Sequence, residues 1–174
     1  MQQFSVDVCC ITETWFTSNM TDDYTSVSGY SLFRRDRKKR KGGGVCIYVR
    51  ESYRSRSFFS SDNFEVIWVK LQLHNDCFFI ASCYHPPKPR YCSDDFVKQL
   101  CSTIDQINDT EPDPVFLITG DFNSLSTVFL ERTLVLLRWS LPLHMVTTPS
   151  IRFSVTDLTS FIQVSTRAFL KQII

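Results

Sequence analysis

Val115-Phe116-Leu117-Ile118-Thr119-Gly120-Asp121-Phe122-Asn123 is the stretch on which the fold turns. Its apolar opening reads as a short buried strand. The strand stops at a glycine, and a carboxylate and a carboxamide follow two residues apart. In an extended segment residues i and i+2 point the same way. Asp121 and Asn123 are therefore expected to aim at one spot beyond the strand end. Near the start, Val6-Asp7-Val8-Cys9-Cys10-Ile11 reads as another strand, followed by Thr12-Glu13-Thr14-Trp15. Two strand ends that bring Glu and Asp/Asn to one rim suggest an oxygen-lined site for a hard divalent cation. Mg²⁺ takes such oxygens and keeps part of its coordination for phosphate.

Between these ends the chain alternates strands and helices. Val45 to Val49 is a strand entered through Gly42-Gly43-Gly44, and residues 64–73 alternate as a longer one. His74-Asn75-Asp76 makes a turn, and Cys77 to Tyr84 returns as a buried partner, which predicts an antiparallel hairpin. His85-Pro86-Pro87-Lys88-Pro89 stops it, because proline cannot donate to a ladder. Phe96, Val97, Leu100, Cys101, Ile104 and Ile107 then recur at helical spacing behind an acidic first turn. In the last third, residues 128–137 suggest a buried helix that is too short and charged to span a bilayer. Beyond Pro149 one or two weak strands are expected.

Composition narrows the class. The chain has 174 residues, 43% hydrophobic and 21% charged, as expected for one globular domain. A formal net charge of +1 exerts no global pull towards nucleic acid or membrane. Charge is concentrated instead in Arg34-Arg35-Asp36-Arg37-Lys38-Lys39-Arg40-Lys41. This run has three readings: a solvated loop, a contact to DNA phosphates, or a nuclear localisation signal. The seven cysteines include no Cys-x-x-Cys, and five lie in apolar runs. They read as small buried hydrophobes in a reducing, intracellular compartment, and a zinc site is not expected. No secretory signal is visible. Gly42-Gly43-Gly44 precedes a strand rather than a helix, so a hairpin or bulge fits it better than a phosphate cradle.

Five segments carry a family likeness. Ile11-Thr12-Glu13-Thr14-Trp15, Gly29-Tyr30 with Arg34-Arg35-Asp36-Arg37, Gly42-Gly43-Gly44-Val45, Tyr84-His85-Pro86-Pro87 and Gly120-Asp121-Phe122-Asn123 occur in that order. Together they resemble the endonuclease domain of non-LTR (LINE-type) retrotransposons, within the endonuclease/exonuclease/phosphatase family. The match is best over residues 4–125; residues 126–174 are degenerate, with an echo at Thr156-Asp157-Leu158. One partial domain, 1–174, is expected.

The resemblance implies an α+β, four-layer α/β/β/α sandwich of deoxyribonuclease I type. It implies Mg²⁺- (or Mn²⁺-) dependent nicking of DNA, in a nuclear setting, beside a reverse-transcriptase domain in a full-length relative. On that reading Glu13 is a metal ligand. Asp121 orients or activates the attacking water, Asn123 binds phosphate, and Tyr84 lies beside the scissile phosphate. Asp157 is a further candidate. Arg34, Arg35, Arg37, Lys38, Lys39, Arg40 and Lys41 would face the DNA. The chain departs from the family in lacking its opening strand with a metal-shell Asn, and its closing Ser-Asp-His element. His85 stands where the family usually has Arg, and His144 where many relatives have Gln. The sandwich is therefore expected to miss its first and last strands and its activity to be impaired. A non-catalytic retroelement remnant with residual nucleic-acid binding is the alternative, and a phosphatase acting on small phosphoesters a third reading.

Overall fold

The computed structural model describes residues 6–38, 41–73, 76–123, 125 and, as backbone, 153–155 and 161–165. Within them the chain forms β1 (Val8–Thr12), a single helical turn α1 (Asp22–Thr25), β2 (Tyr30–Arg35), β3 (Val45–Arg50), β4 (Arg54–Ser60), β5 (Glu65–Leu73) and β6 (Asp76–Tyr84). Helix α2 (Ser93–Thr110) and strands β7 (Val115–Asp121), β8 (Phe153–Val155) and β9 (Phe161–Ser165) complete it. None of the described helices is long and apolar enough to cross a membrane.

Two sheets result, ordered β2-β3-β1-β8 and β4-β5-β6-β7-β9. They pack face to face through Val8, Cys10, Val45, Ile47 and Val49 of the first sheet and Ile67, Val69, Leu71, Ile80 and Leu117 of the second. On its other face the second sheet presents Val66, Trp68, Phe79, Phe116 and Ile118 to Phe96, Leu100, Ile104 and Ile107 of α2. β5 and β6 are thus covered on both sides. This is why β6 reads as a nearly unbroken apolar run and why β5 holds Val66-Ile67-Trp68-Val69 in succession within its alternating pattern. The arrangement is the expected α+β sandwich. On the outer face of the first sheet the described cover is Val6, Phe16 and Val27 against Tyr30, Cys46 and Tyr48.

The 65–84 hairpin holds its expected register, Glu65 opposite Tyr84 and Leu73 opposite Asp76. β6 and β7 run parallel, which requires a crossover, and α2 supplies it. Every apolar residue assigned to the helical stripe packs inward, Cys101 only partly. The weak strands expected after Pro149 are β8, parallel to β1, and β9, antiparallel to β7. The predicted helix over 128–137 lies outside the described residues, as do His74, Lys39, Arg40, His144 and Asp157. The apolar-strand cysteines are buried and unpaired by disulfides.

Two strands escape the sequence pattern. β2 and β4 are edge strands. β4 reads Arg-Ser-Arg-Ser-Phe-Phe-Ser, largely exposed, with a register shift between Ser57 and Phe59. Charges and a bulge on an edge discourage pairing with other chains, and they also erase apolar alternation. β2 carries Arg34 and Arg35, so part of the basic run is strand rather than solvated loop.

Candidate active site at the strand ends

The parallel pairing of β6 and β7 ends with Tyr84 opposite Asp121 and Cys83 opposite Gly120. The strands approach so closely there that a Cβ on Gly120 (φ 146°) would stand 1.8 Å from the Cys83 carbonyl oxygen. Only glycine fits. Past it the buried ring of Phe122 enters the α2-side core, while Asp121 stays half-buried and Asn123 exposed. The peptide N–H of His85 donates to the Asp121 carbonyl at 2.8 Å, and Asn123 Nδ2 donates to the His85 carbonyl at 2.9 Å. These bonds stitch the two strand ends together.

The expected extended geometry of Asp121 and Asn123 does not hold. Asn123 has φ 46°, and its peptide N–H donates to Asp121 Oδ1 at 3.0 Å. The pair forms an Asx turn, which Asp favours because its side chain can bond the backbone two residues on. The two side chains share a corner through this turn and not through strand alternation.

Glu13 reaches the same rim from β1. The ladder between β1 and β3 runs on past the strand, with Trp15 N–H bonding to the Gly43 carbonyl at 2.9 Å. Glu13 Oε2 accepts from the Gly43 peptide N–H and from the Trp15 indole, both at 2.9 Å. A Cβ on Gly43 (φ 71°) would meet the Arg37 guanidinium at 2.2 Å, so the glycine turn lets arginine and carboxylate share one wall. Arg37 Nε in turn bonds Glu65 Oε1 at 2.7 Å, and the guanidinium lies 5.4 Å from the centre of the Tyr84 ring. The Gly triplet therefore closes the β2–β3 connection and presents N–H groups to two carboxylates, since Gly44 N–H bonds Glu65 Oε2 at 2.5 Å.

Electrostatics distinguishes the groups. Partial burial acts to raise the Glu13 pKa, but the Tyr84 hydroxyl, the Gly43 N–H, the Trp15 indole and the Arg37 charge outweigh it and hold it below its ordinary value. Glu13 is thus a carboxylate at neutral pH, with Oε1 not committed to Gly43 or Trp15. Burial first, and then the neighbouring Glu13 carboxylate, push Tyr84 up to about 12, against the opposing pull of Arg37. Tyr84 therefore keeps its proton and can donate it in a hydrogen bond. Burial holds the His85 imidazole below its ordinary value, and its Nε2 lies 3.1 Å from Ser93 Oγ. Strain gathers here too. Glu13 (54°), Trp15 (58°) and Asn123 (46°) all adopt positive φ without being glycine, a conformation that persists only where the surroundings enforce it.

Glu13, Tyr84 and Asp121 are thus linked at one rim, Glu13 through Tyr84 and Tyr84 through its register with Asp121. Among the described residues no group of three or more His, Cys, Asp or Glu side chains is placed to hold a metal. An ionised, half-buried Glu13 fits Mg²⁺, which commonly takes one or two carboxylates and completes its shell with water and phosphate. Most of the basic run is committed to the protein. Arg34 bonds Thr25 Oγ1 and the Met20 carbonyl and pairs with Asp36. Arg35 bonds the carbonyls of Ser61, Asp36 and Asp62, and Lys38 pairs with Asp62. Lys41 is exposed. Arg37 alone of these touches the carboxylate cluster, and Glu65, Trp15 and Gly43 join it unforeseen. Trp15 and Gly43 lie within quoted motifs, whereas Glu65 carried no sequence signal.

The chain belongs to the Endonuclease/Exonuclease/phosphatase family, whose profile matches residues 1–155. That places it among nucleases and phosphatases. Its fold is similar to the endonuclease domain of TRAS1, a telomere-specific non-LTR retrotransposon, at 15% identity and TM-score 0.52, over 72% of this chain and 51% of that one. It is also similar to the human Nocturnin catalytic domain, at 16% identity and TM-score 0.56, over 77% of this chain and 57% of that one. The chain thus spans about half the length of these solved relatives. No curated protein matches it.

Proposed function

We propose that the chain is a phosphodiesterase domain of the retrotransposon-endonuclease type, acting on DNA with Mg²⁺ or Mn²⁺. The observation that carries the reading is the convergence of Glu13, Tyr84 and Asp121 at adjoining strand ends, with Arg37 beside them. Glu13 would hold the cation, which when bound supplies charge neutralisation to a phosphate oxygen. Asp121, held by the Asn123 N–H, is positioned to orient water. Tyr84, protonated at neutral pH, gives its single hydroxyl hydrogen to Glu13; with that carboxylate on a cation, the hydroxyl would be released to donate to a non-bridging oxygen as charge develops. Asn123 gives one amide hydrogen to the His85 carbonyl, which braces the corner, and its second amide hydrogen is the one that would donate to phosphate. Nuclear action beside a reverse-transcriptase domain belongs to the same proposal.

The absence of a three-acid cluster among the described residues favours a second reading, a fold that binds nucleic acid without cutting it. Nicking of supercoiled plasmid in Mg²⁺ separates them. Glu13→Gln and Asp121→Ala are each expected to lower nicking by about 10²–10⁴. Equal nicking by wild type and both variants rejects catalysis at this rim.

A further inference from the structure

A cavity of about 720 Å³ opens beside Arg37, between the β4–β5 turn, the loop after β6 and the first turns of α2. Its volume is that of sites for nucleotide-sized ligands. Arg37 and Glu65 form the wall that it shares with the carboxylate cluster.

The charges around it do not cancel. Of its acids, Glu65 is paired with Arg37, Asp62 with Lys38 and Asp95 with Lys98. Arg35 bonds only backbone carbonyls, and Arg90 pairs with no acid among the described residues. Two guanidinium charges thus lack a carboxylate partner, Arg35 with a hydrogen bond from each nitrogen to a carbonyl and Arg90 with none among the described residues. The rest of the lining is aromatic and carboxamide: Phe64 and Tyr91, whose rings meet edge to face at 4.7 Å, with Asn63 and Gln99. Arginine grips phosphate, and carboxamides hydrogen-bond the edges of bases. Moreover, Arg37 Nη2, Tyr91 Oη and Gln99 Oε1 are buried with no hydrogen-bond partner. Native proteins seldom leave such atoms unanswered, and three residues of this lining carry one.

We propose that this cavity holds one unpaired nucleotide of the nucleic-acid substrate, its phosphate at Arg90 and Arg35 and its base towards Tyr91 and Gln99. The proposal rests on the nucleic-acid reading above and adds to it a place for a strand end or an extruded base next to the cut. Arg37 couples the two, since it lines the cavity and lies against the Tyr84 ring.

Calorimetric titration of the full chain in EDTA tests it, with dAMP, dCMP and inorganic phosphate as probes. A mononucleotide is expected to bind about tenfold more tightly than phosphate. Tyr91→Phe, which removes one oxygen, and Gln99→Leu are each expected to weaken mononucleotide binding about three- to tenfold and to leave phosphate binding as it was. Arg90→Ala weakens both. Equal affinity for phosphate and mononucleotide, an absence of binding, or variants that bind as wild type does would each overturn the proposal. Should a variant fail to fold by circular dichroism, the wild-type comparison of mononucleotide with phosphate still decides. Catalysis is off in EDTA, so the outcome is separate from the nicking test. Nucleotide binding that persists in Asp121→Ala, with no nicking by wild type, sinks the nuclease reading and leaves the cavity.

Discussion

The two corners that meet at the candidate site are built on different physics. The Asp121 corner is steric. Gly120 allows β7 to touch β6, Phe122 plugs the α2-side core, and backbone bonds through His85 close the turn. The Glu13 corner is electrostatic. Peptide N–H groups of the glycine triplet, an indole and an arginine hold a carboxylate in its charged form. A site of this kind needs both: one corner that does not move, and one whose charge is set by its neighbours. Steric corners should break cooperatively when disturbed, and electrostatic ones should shift in pKa with little loss of fold.

The largest expected effect is at Gly120. Gly120→Ala places a methyl on a backbone oxygen that cannot yield, and a loss of about 4 kcal/mol or more is expected in urea denaturation. A loss near 1 kcal/mol would show that β6 and β7 can part, and would remove the steric account. Phe122→Ala follows, at about 3–5 kcal/mol, because the ring is fully buried and the cavity it leaves is walled by rigid strand and helix. A smaller, pH-dependent loss is expected through His85. Its folded pKa lies below the ordinary 6.5, so the unfolded chain takes up the proton first. Stability is then complete above pH 6.5 and declines as the pH falls below it. Denaturation midpoints of wild type and His85→Gln between pH 7.5 and 5.5 measure it; parallel profiles would release His85 from the role.

At the electrostatic corner the smallest structural change should give the clearest readout. Tyr84→Phe removes a hydrogen bond from the Glu13 carboxylate at a stability cost of about 1 kcal/mol. The Glu13 titration, followed by carboxyl carbon resonance, is expected below 4.5 in wild type and higher in the variant. An unmoved midpoint would mean that Gly43, Trp15 and Arg37 suffice, and would cut Tyr84 from the cluster.

What was legible beforehand follows the same division. β6, β7 and α2 announce themselves because a strand covered on both faces must be continuously apolar and a helix packed on one face must repeat at its own period, and β5 does so through its alternation. β2 and β4 do not, since an edge strand carries charge and a bulge for reasons unrelated to burial. Among the site residues, Glu13, Tyr84 and Asp121 stand next to strand ends that the pattern locates. Arg37 and Glu65 are 28 residues apart in the chain and meet only after β2 and β5 take their places. The basic run shows the limit most directly: as composition it is a patch, but folded it separates into Arg34 and Arg35 tied to nearby carbonyls and one arginine at the site.

Local order, then, was written into the chain itself: where strands stop, where glycine must stand, and which acids sit at the stops. A hydrophobic period and a backbone restriction act over a few residues, so neighbouring residues suffice to read them. The charge state of Glu13, the proton on Tyr84, the Asx turn at Asn123 and the cavity beside Arg37 belong to the assembled sandwich. Each arises from desolvation or contact between segments far apart in sequence, and such terms exist only once the two sheets have closed on one another.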